Sequence, residues 1–454
     1  MTTSKKVFIW VGLGGSLVCC LGVTIPLWTI LNGGDNLDRA VADYRRQGLP
    51  WTAKELEPDS PVPDVENAAP TLNRAFIMFN STKFSGEASE AITMVNEGNT
   101  AGAEAIVGHY GPELALAKQA AQLPRADFHK DWDLGPEVLF PELSSLKSLV
   151  RLLAVRAVVE ARRGAVAASN SDLKDAWALS RLTGQGPTLI HLILQIAQRA
   201  LVLSAVEQAT TAYKDKPAAL ASLKALLTKL TDEPNFQHGI RGEAYMGLVI
   251  LRNGPVFRSR LTHDIGSDNS PLPPINSRQL RRTGAPNGLI ERFTGGKLLK
   301  SYVQLDKMAQ KDAGNTAQLD ADLKAFDVEL MKDNGLTAFY RNLILPVYSN
   351  VGQAMPEDRA RKLTVTALVD AVLQHAQTGH YPAKISDIPG TWLDPFDGKP
   401  LRLKAKGESI RIYSVGPDLK DNGGLSRIET SGSTAKYDIV AASPPVVKKK
   451  SGTK

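Results

Sequence analysis

From Val7 to Leu31 the chain runs through 25 residues without one charged side chain. A hydrocarbon core needs roughly 20 apolar helical residues to cross it, so this run is long enough to span a bilayer. A cleavable leader has an apolar stretch of about 7–15 residues followed by a small-x-small site, whereas this run ends in Thr29-Ile30-Leu31-Asn32. The expectation is a retained single-pass transmembrane helix over 7–31. Lys5 and Lys6 precede it and Asn32-Gly33-Gly34-Asp35 follows it. That charge bias puts residues 1–6 in the cytoplasm and the body outside it, on an inner (cytoplasmic) membrane. Trp10 and Trp28 stand near the two ends of the run, where indole rings favour the interface.

The run also holds Cys19 and Cys20, the only cysteines, so no disulfide staples the remainder. Of the formal net charge of +7, six charges belong to Lys5, Lys6, Lys448, Lys449, Lys450 and Lys454 in the two tails. The body is left nearly neutral. It lacks the basic footprint that phosphate contacts need, and no nucleic-acid partner is expected.

Beyond the anchor, residues 32–70 read as a juxtamembrane helix and a linker. Asp35 to Gln47 is amphipathic with Gly48 and Pro50 as stops, and Glu55-Leu56-Glu57-Pro58-Asp59-Ser60-Pro61-Val62-Pro63-Asp64 is acidic and proline-rich. Residues 71–350 read as a helical body of antiparallel hairpins. Its longest pattern starts at Ser144, read as an N-cap, and passes through Leu146, Leu149, Val150, Leu153, Ala157 and Val158 to a stop at Gly164. Further helices are expected over 172–182, 187–211, 217–230, 289–308 and 315–348. The segment 266–288, with Pro271, Pro273, Pro274, Arg278, Arg281 and Arg282, reads as a long loop. His191, among Leu189, Ile190, Leu192 and Ile193, reads as a core or boundary histidine. Asp320, Asp322, Asp327 and Glu329 spread round their helix as a solvent face would.

After Pro356 the run Ala360, Leu363, Ala367, Leu368, Ala371, Val372 and Ala376 gives one apolar helical face, closed by Gly379. The period then changes. Leu401 to Lys404 and Ser409 to Tyr413 alternate like strands around Gly407, as a hairpin does. The fold class expected is mainly α, with a small α+β module over 351–443 and a basic tail over 444–454.

Within that module, Thr378-Gly379-His380-Tyr381-Pro382, Asp394-Pro395-Phe396-Asp397-Gly398-Lys399-Pro400 and Tyr413-Ser414-Val415-Gly416-Pro417-Asp418 follow in order. Asp421-Asn422-Gly423-Gly424 and Asp438-Ile439 come after them. This series resembles the soluble domain of the type II secretion major pseudopilin. The resemblance implies an extracytoplasmic module with Asp418, Asp421 and Asp438 as candidate calcium ligands, carboxylate oxygens being what calcium takes. The residues read by themselves leave turn chemistry as the other reading of the same aspartates. The chain departs from the family: a pseudopilin carries its anchor directly on the helix entering this module, with a prepilin processing site and a glutamate just inside the apolar run, whereas here some 300 residues intervene and 7–31 has neither feature.

The same plan of anchor, helical body and terminal module also resembles membrane-anchored proteins of bacterial cell envelopes. The function expected is a non-catalytic binding or scaffold protein of the envelope, meeting a protein partner through its helical body. One alternative is an accessory of a type II secretion or pilus-like system. The other is a hydrolase without a recognisable motif, since the body has no Gly-x-Ser-x-Gly, no His-Glu-x-x-His and no cysteine. No catalytic residue is singled out.

Overall fold

Leu37, Ala40 and Tyr44 recur at helical spacing and are all buried, and they define helix α1 (36–46). It stops at Gly48, whose φ of 72° suits glycine best. The computed structural model describes residues 36–79, 81–257, 280–284, 286, 289–332, 348–430 and 436–446. The expected anchor at 7–31, most of the loop 266–288 with Arg278, and the end of the basic tail lie outside them.

Four helices follow the linker: α2 (Ala69–Phe76), α3 (Ser81–Asn96), α4 (Thr100–His109) and α5 (Gly111–Ala121). Then come α6 (Pro141–Arg163), α7 (Val166–Thr183), α8 (Leu189–Ala212), α9 (Pro217–Leu227) and α10 (Phe236–Arg252). Helix α6 begins at Pro141 rather than after Ser144, because proline's fixed φ suits the first turn and its missing N–H has no partner there to lose. It ends as expected at Gly164, with φ 82°. That turn is tight enough for α7 to start at Val166. Asp172, expected near a helix start, is buried inside α7 on Lys118 (2.8 Å) and Arg156 (2.7 Å).

The chain continues through α11 (Leu289–Lys311), α12 (Thr316–Leu330) and α13 (Tyr348–Thr378). Pro356 lies inside α13 and does not start it. Four residues earlier stands Gly352, packed against Asp320 and Leu323 of α12. The acidic set on α12 is not a plain solvent face. Asp320 is buried beside Lys324, and Asp327 accepts the Tyr348 and Ser349 amides that open α13.

Three antiparallel strands close the chain in the order β1 (Arg402–Lys406), β2 (Ser409–Ser414) and β3 (Ile439–Ser443). Lys406 pairs with Ser409, so Gly407 and Glu408 make the hairpin turn, with Gly407 at φ 57°. The described protein is thus mainly helical with a small C-terminal α+β unit.

Two apolar cores hold it together. One joins α3 to α7, α9, the second half of α8, Val365 to Val372 of α13, and Ile410, Ile412 and Ala441 of the sheet. The other joins α1, α10, α11, α12, Leu189 to Ile196 of α8 and Tyr348 to Met355 of α13. Helices α8 and α13 therefore run through both, and the boundary expected at 351 falls inside α13. Between the cores the buried Arg199 of α8 meets Asp358 of α13, with Nε to Oδ1 at 3.0 Å and Nη2 to Oδ2 at 2.9 Å. The guanidinium lies 4.3 Å from the Trp177 ring centre and also donates to the Asp232 carbonyl. Among the described residues α8 is long and apolar enough to cross a membrane. It carries buried Arg199 and Glu207 and packs on α6, α7 and α13, which makes it a core helix of this body.

Candidate functional site

A cleft of about 1150 Å³ opens where the linker, the segment 125–132 and the ends of α6, α7, α8 and α10 meet. Asn67 builds one wall: its Oδ1 accepts the Ala69 and Asp127 amides and its Nδ2 donates to the Asp127 carbonyl. Gln185 holds the same wall from the other side, accepting the Ala126 amide and donating to the Pro124 carbonyl. The linker residues Leu56, Glu57, Asp59 and Val62 face it. Leu143, Leu146 and Leu182 give the cleft an apolar floor.

Polar groups converge over that floor. Lys130 donates to Glu142 (2.7 Å) and to the Leu139 carbonyl (2.9 Å), and its ammonium stands 5.5 Å from the Phe140 ring centre. Phe140 meets the His191 imidazole edge to face at 4.7 Å. His191 Nδ1 is 2.7 Å from the Thr188 hydroxyl, and the ring lies so close to Gly186 that a Cβ there would overlap it. Burial, with Lys130 and His238 adding repulsion, pushes His191 down to about 4, so its ring is neutral near pH 7. His238 Nε2 is 2.9 Å from the Gln185 carbonyl. At the rim His129, with φ 51°, holds Asp127 through its backbone amide (2.9 Å) and Nδ1 (3.1 Å). A non-glycine residue in that left-handed region stores strain, which structures hold most often at binding surfaces and turns.

His191 is thus a boundary residue, as read, though its surroundings are a cleft wall. Of the other groups here, Leu56, Glu57, Asp59 and Val62 were read only as linker and Leu146 only as part of a helix, and the rest were not singled out in the sequence. The cleft residues come from five separate stretches of chain, and no local motif marks them.

The three candidate calcium ligands meet at one loop. Asp418 Oδ1 accepts the Lys420 amide (3.0 Å) and Asp421 Oδ1 the Gly423 amide (2.8 Å). Asp438, almost wholly buried, accepts the amides of Asn422 (3.2 Å) and Gly424 (2.6 Å) on its two oxygens. Burial raises the Asp438 carboxyl, and the two amides offset part of that rise. The first two are turn bonds to the amide two residues on, whereas Asp438 ties the loop to the start of β3 across 16 and 14 residues. Among the described residues no group of three or more His, Cys, Asp or Glu is placed to hold a metal. In this arrangement the three carboxylates close the loop through backbone amides. His375 and His380 do not converge either: His375 stacks on Tyr381 at 4.1 Å.

The motif that carries the family resemblance proves to be a frame. Buried Asp394 accepts from the Phe396 amide (3.0 Å), the Ser414 hydroxyl (2.8 Å), the Val415 amide (2.9 Å) and Arg402, which also binds Asp397. One carboxylate thereby ties the Asp-Pro-Phe-Asp-Gly turn to the end of β2. Of the loop arginines, Arg282 pairs with Asp133 at 3.1 Å.

No protein-family model, curated protein or solved structure matches this chain.

Proposed function

We propose that this chain is a membrane-tethered extracytoplasmic binding protein: residues 7–31 anchor it, and its helical body receives a ligand in the cleft beside His191. The cleft carries the reading, because an apolar floor under a few convergent polar groups is the usual form of a ligand site. Its size suits a small amphipathic molecule or a short peptide segment.

Acid–base catalysis is the weaker reading. The imidazole best placed for it, His191, is held near 4 and tied to Thr188, whereas an effective general base titrates near the working pH. An accessory role in a secretion or pilus-like system draws support from one feature, a long helix leading into a three-stranded sheet framed by Asp394.

The test uses full-length protein solubilised with its own membrane lipids, followed by native mass spectrometry. A bound species is expected on the wild type and is lost when Ala126→Trp fills the cleft. Equal retention by both proteins would overturn the reading.

A further inference from the structure

We propose that Glu207 is a proton-controlled latch that couples docking of the C-terminal sheet onto the helical body to the surrounding pH. Among the described residues strand β3 is an edge strand, paired with β2 alone. An edge leaves backbone N–H groups with no strand partner. One of them, the amide of Ala442, donates instead to Glu207 Oε1 of α8 at 2.8 Å. The same interface holds a contact of 2.9 Å between the hydroxyls of Thr211 and Ser443. Glu207 is thus the ionisable group on which the strand rests, and it is buried.

Its charged surroundings are sparse. Arg361 of α13 faces it without forming an ion pair. Beyond Arg361, Glu357 of the same helix meets the Tyr437 hydroxyl just ahead of β3. Lys214 and Glu408 pair at 3.4 Å on the exposed rim. A buried carboxylate with one amide donor and no paired cation is costly to ionise. Burial pushes the carboxyl up to about 7, with the Ala442 amide and Arg361 pulling it down by less.

The sign follows. The folded state holds this proton more tightly than the unfolded chain, whose glutamates titrate near ~4.3. Stability from the latch is complete at or below that value and is lost as pH rises towards about 7. The sheet is docked firmly in acid and more loosely in mild base.

Hydrogen exchange on the full-length protein in detergent reads this directly, after correction for intrinsic rates. Protection of the Ile439–Ser443 amides is expected to fall at least tenfold between pH 5.5 and 8, by linkage. In Glu207→Gln, which keeps the acceptor and removes the proton, that fall disappears. In Thr211→Val, protection is lower at both values while the pH dependence stays. A second measurement, NMR of protein labelled with ¹³C-carboxyl glutamate, is expected to show a carboxyl titrating near 7 whose signal is missing from Glu207→Gln; the comparison separates it from Glu243, which burial also raises. A pH dependence unchanged in Glu207→Gln, or a Glu207 carboxyl that titrates at the ordinary glutamate value, would overturn the latch.

Discussion

His191 shows how one side chain registers its surroundings. Its ring stays neutral because the cleft wall desolvates it beside Lys130 and His238. An unfolded histidine titrates near ~6.5. The unfolded chain therefore binds more protons between that value and about 4, and stability falls as pH drops through that window. Relative to His191→Gln, the wild type is expected to lose about 3 kcal/mol between pH 7 and 4, read from denaturant midpoints at both values. A constant difference between the two proteins would mean that the ring is already solvated. Asp394 and Asp438 make the second case at this scale. Asp394→Ala strips a hub from four partners, and a loss of about 3 kcal/mol is expected, because buried donors are left unmet. Asp438→Ala is expected to lower the melting temperature equally with calcium and with chelator, since its oxygens hold the Asn422 and Gly424 amides. A calcium-dependent shift confined to the wild type would establish the metal reading instead. The sequence made these aspartates visible as a cluster. It left open what they hold, because an Asx turn and a calcium loop use the same residue types next to glycine.

Helices with strong periodicity and sharp stops were legible, and those built on small residues were not. Helix α6 alternates large apolar residues with polar ones up to a left-handed Gly164, so its pattern is plain in the sequence. Helices α3, α4 and α5 bury mainly Ala88, Ala91, Ala103, Ala117 and Ala120, which give weak contrast against solvent positions. Helix α10 was equally silent. Its glycines serve packing: at Gly242 a Cβ would lie 1.9 Å from the Pro187 carbonyl oxygen, and at Gly239 it would crowd Leu189. Gly242→Ala is therefore expected to destabilise by about 2 kcal/mol, measured by urea unfolding. A neutral substitution would mean that the turn before α8 is free to shift. The start of α13 was misplaced because Pro356 reads locally as a helix breaker, whereas it lies inside the helix, one turn after Gly352, where α12 packs closely.

At the scale of the whole molecule, α8 and α13 carry two cores, and the Arg199–Asp358 pair sits where both helices cross between them. Asp358→Ala leaves a buried guanidinium without its carboxylate, so about 3–5 kcal/mol of destabilisation is expected. The double variant Arg199→Met with Asp358→Leu is expected to recover most of it, since an apolar pair removes the need to desolvate two charges. Calorimetry of both variants checks this, and failure of the double variant to recover would show that Trp177 and Asp232 depend on the guanidinium. No sequence window reveals this pair or the cleft, because each joins residues far apart in the chain. The cleft is where ligand binding is tested most directly. A photo-crosslinking amino acid placed at Ala126 in the full-length protein, in intact cells, is expected to capture a discrete adduct. The same residue at exposed Val328 on α12, which does not line the cleft, is expected to capture none. Equal labelling at both positions, or none at Ala126, would contradict a ligand-binding role for this cleft.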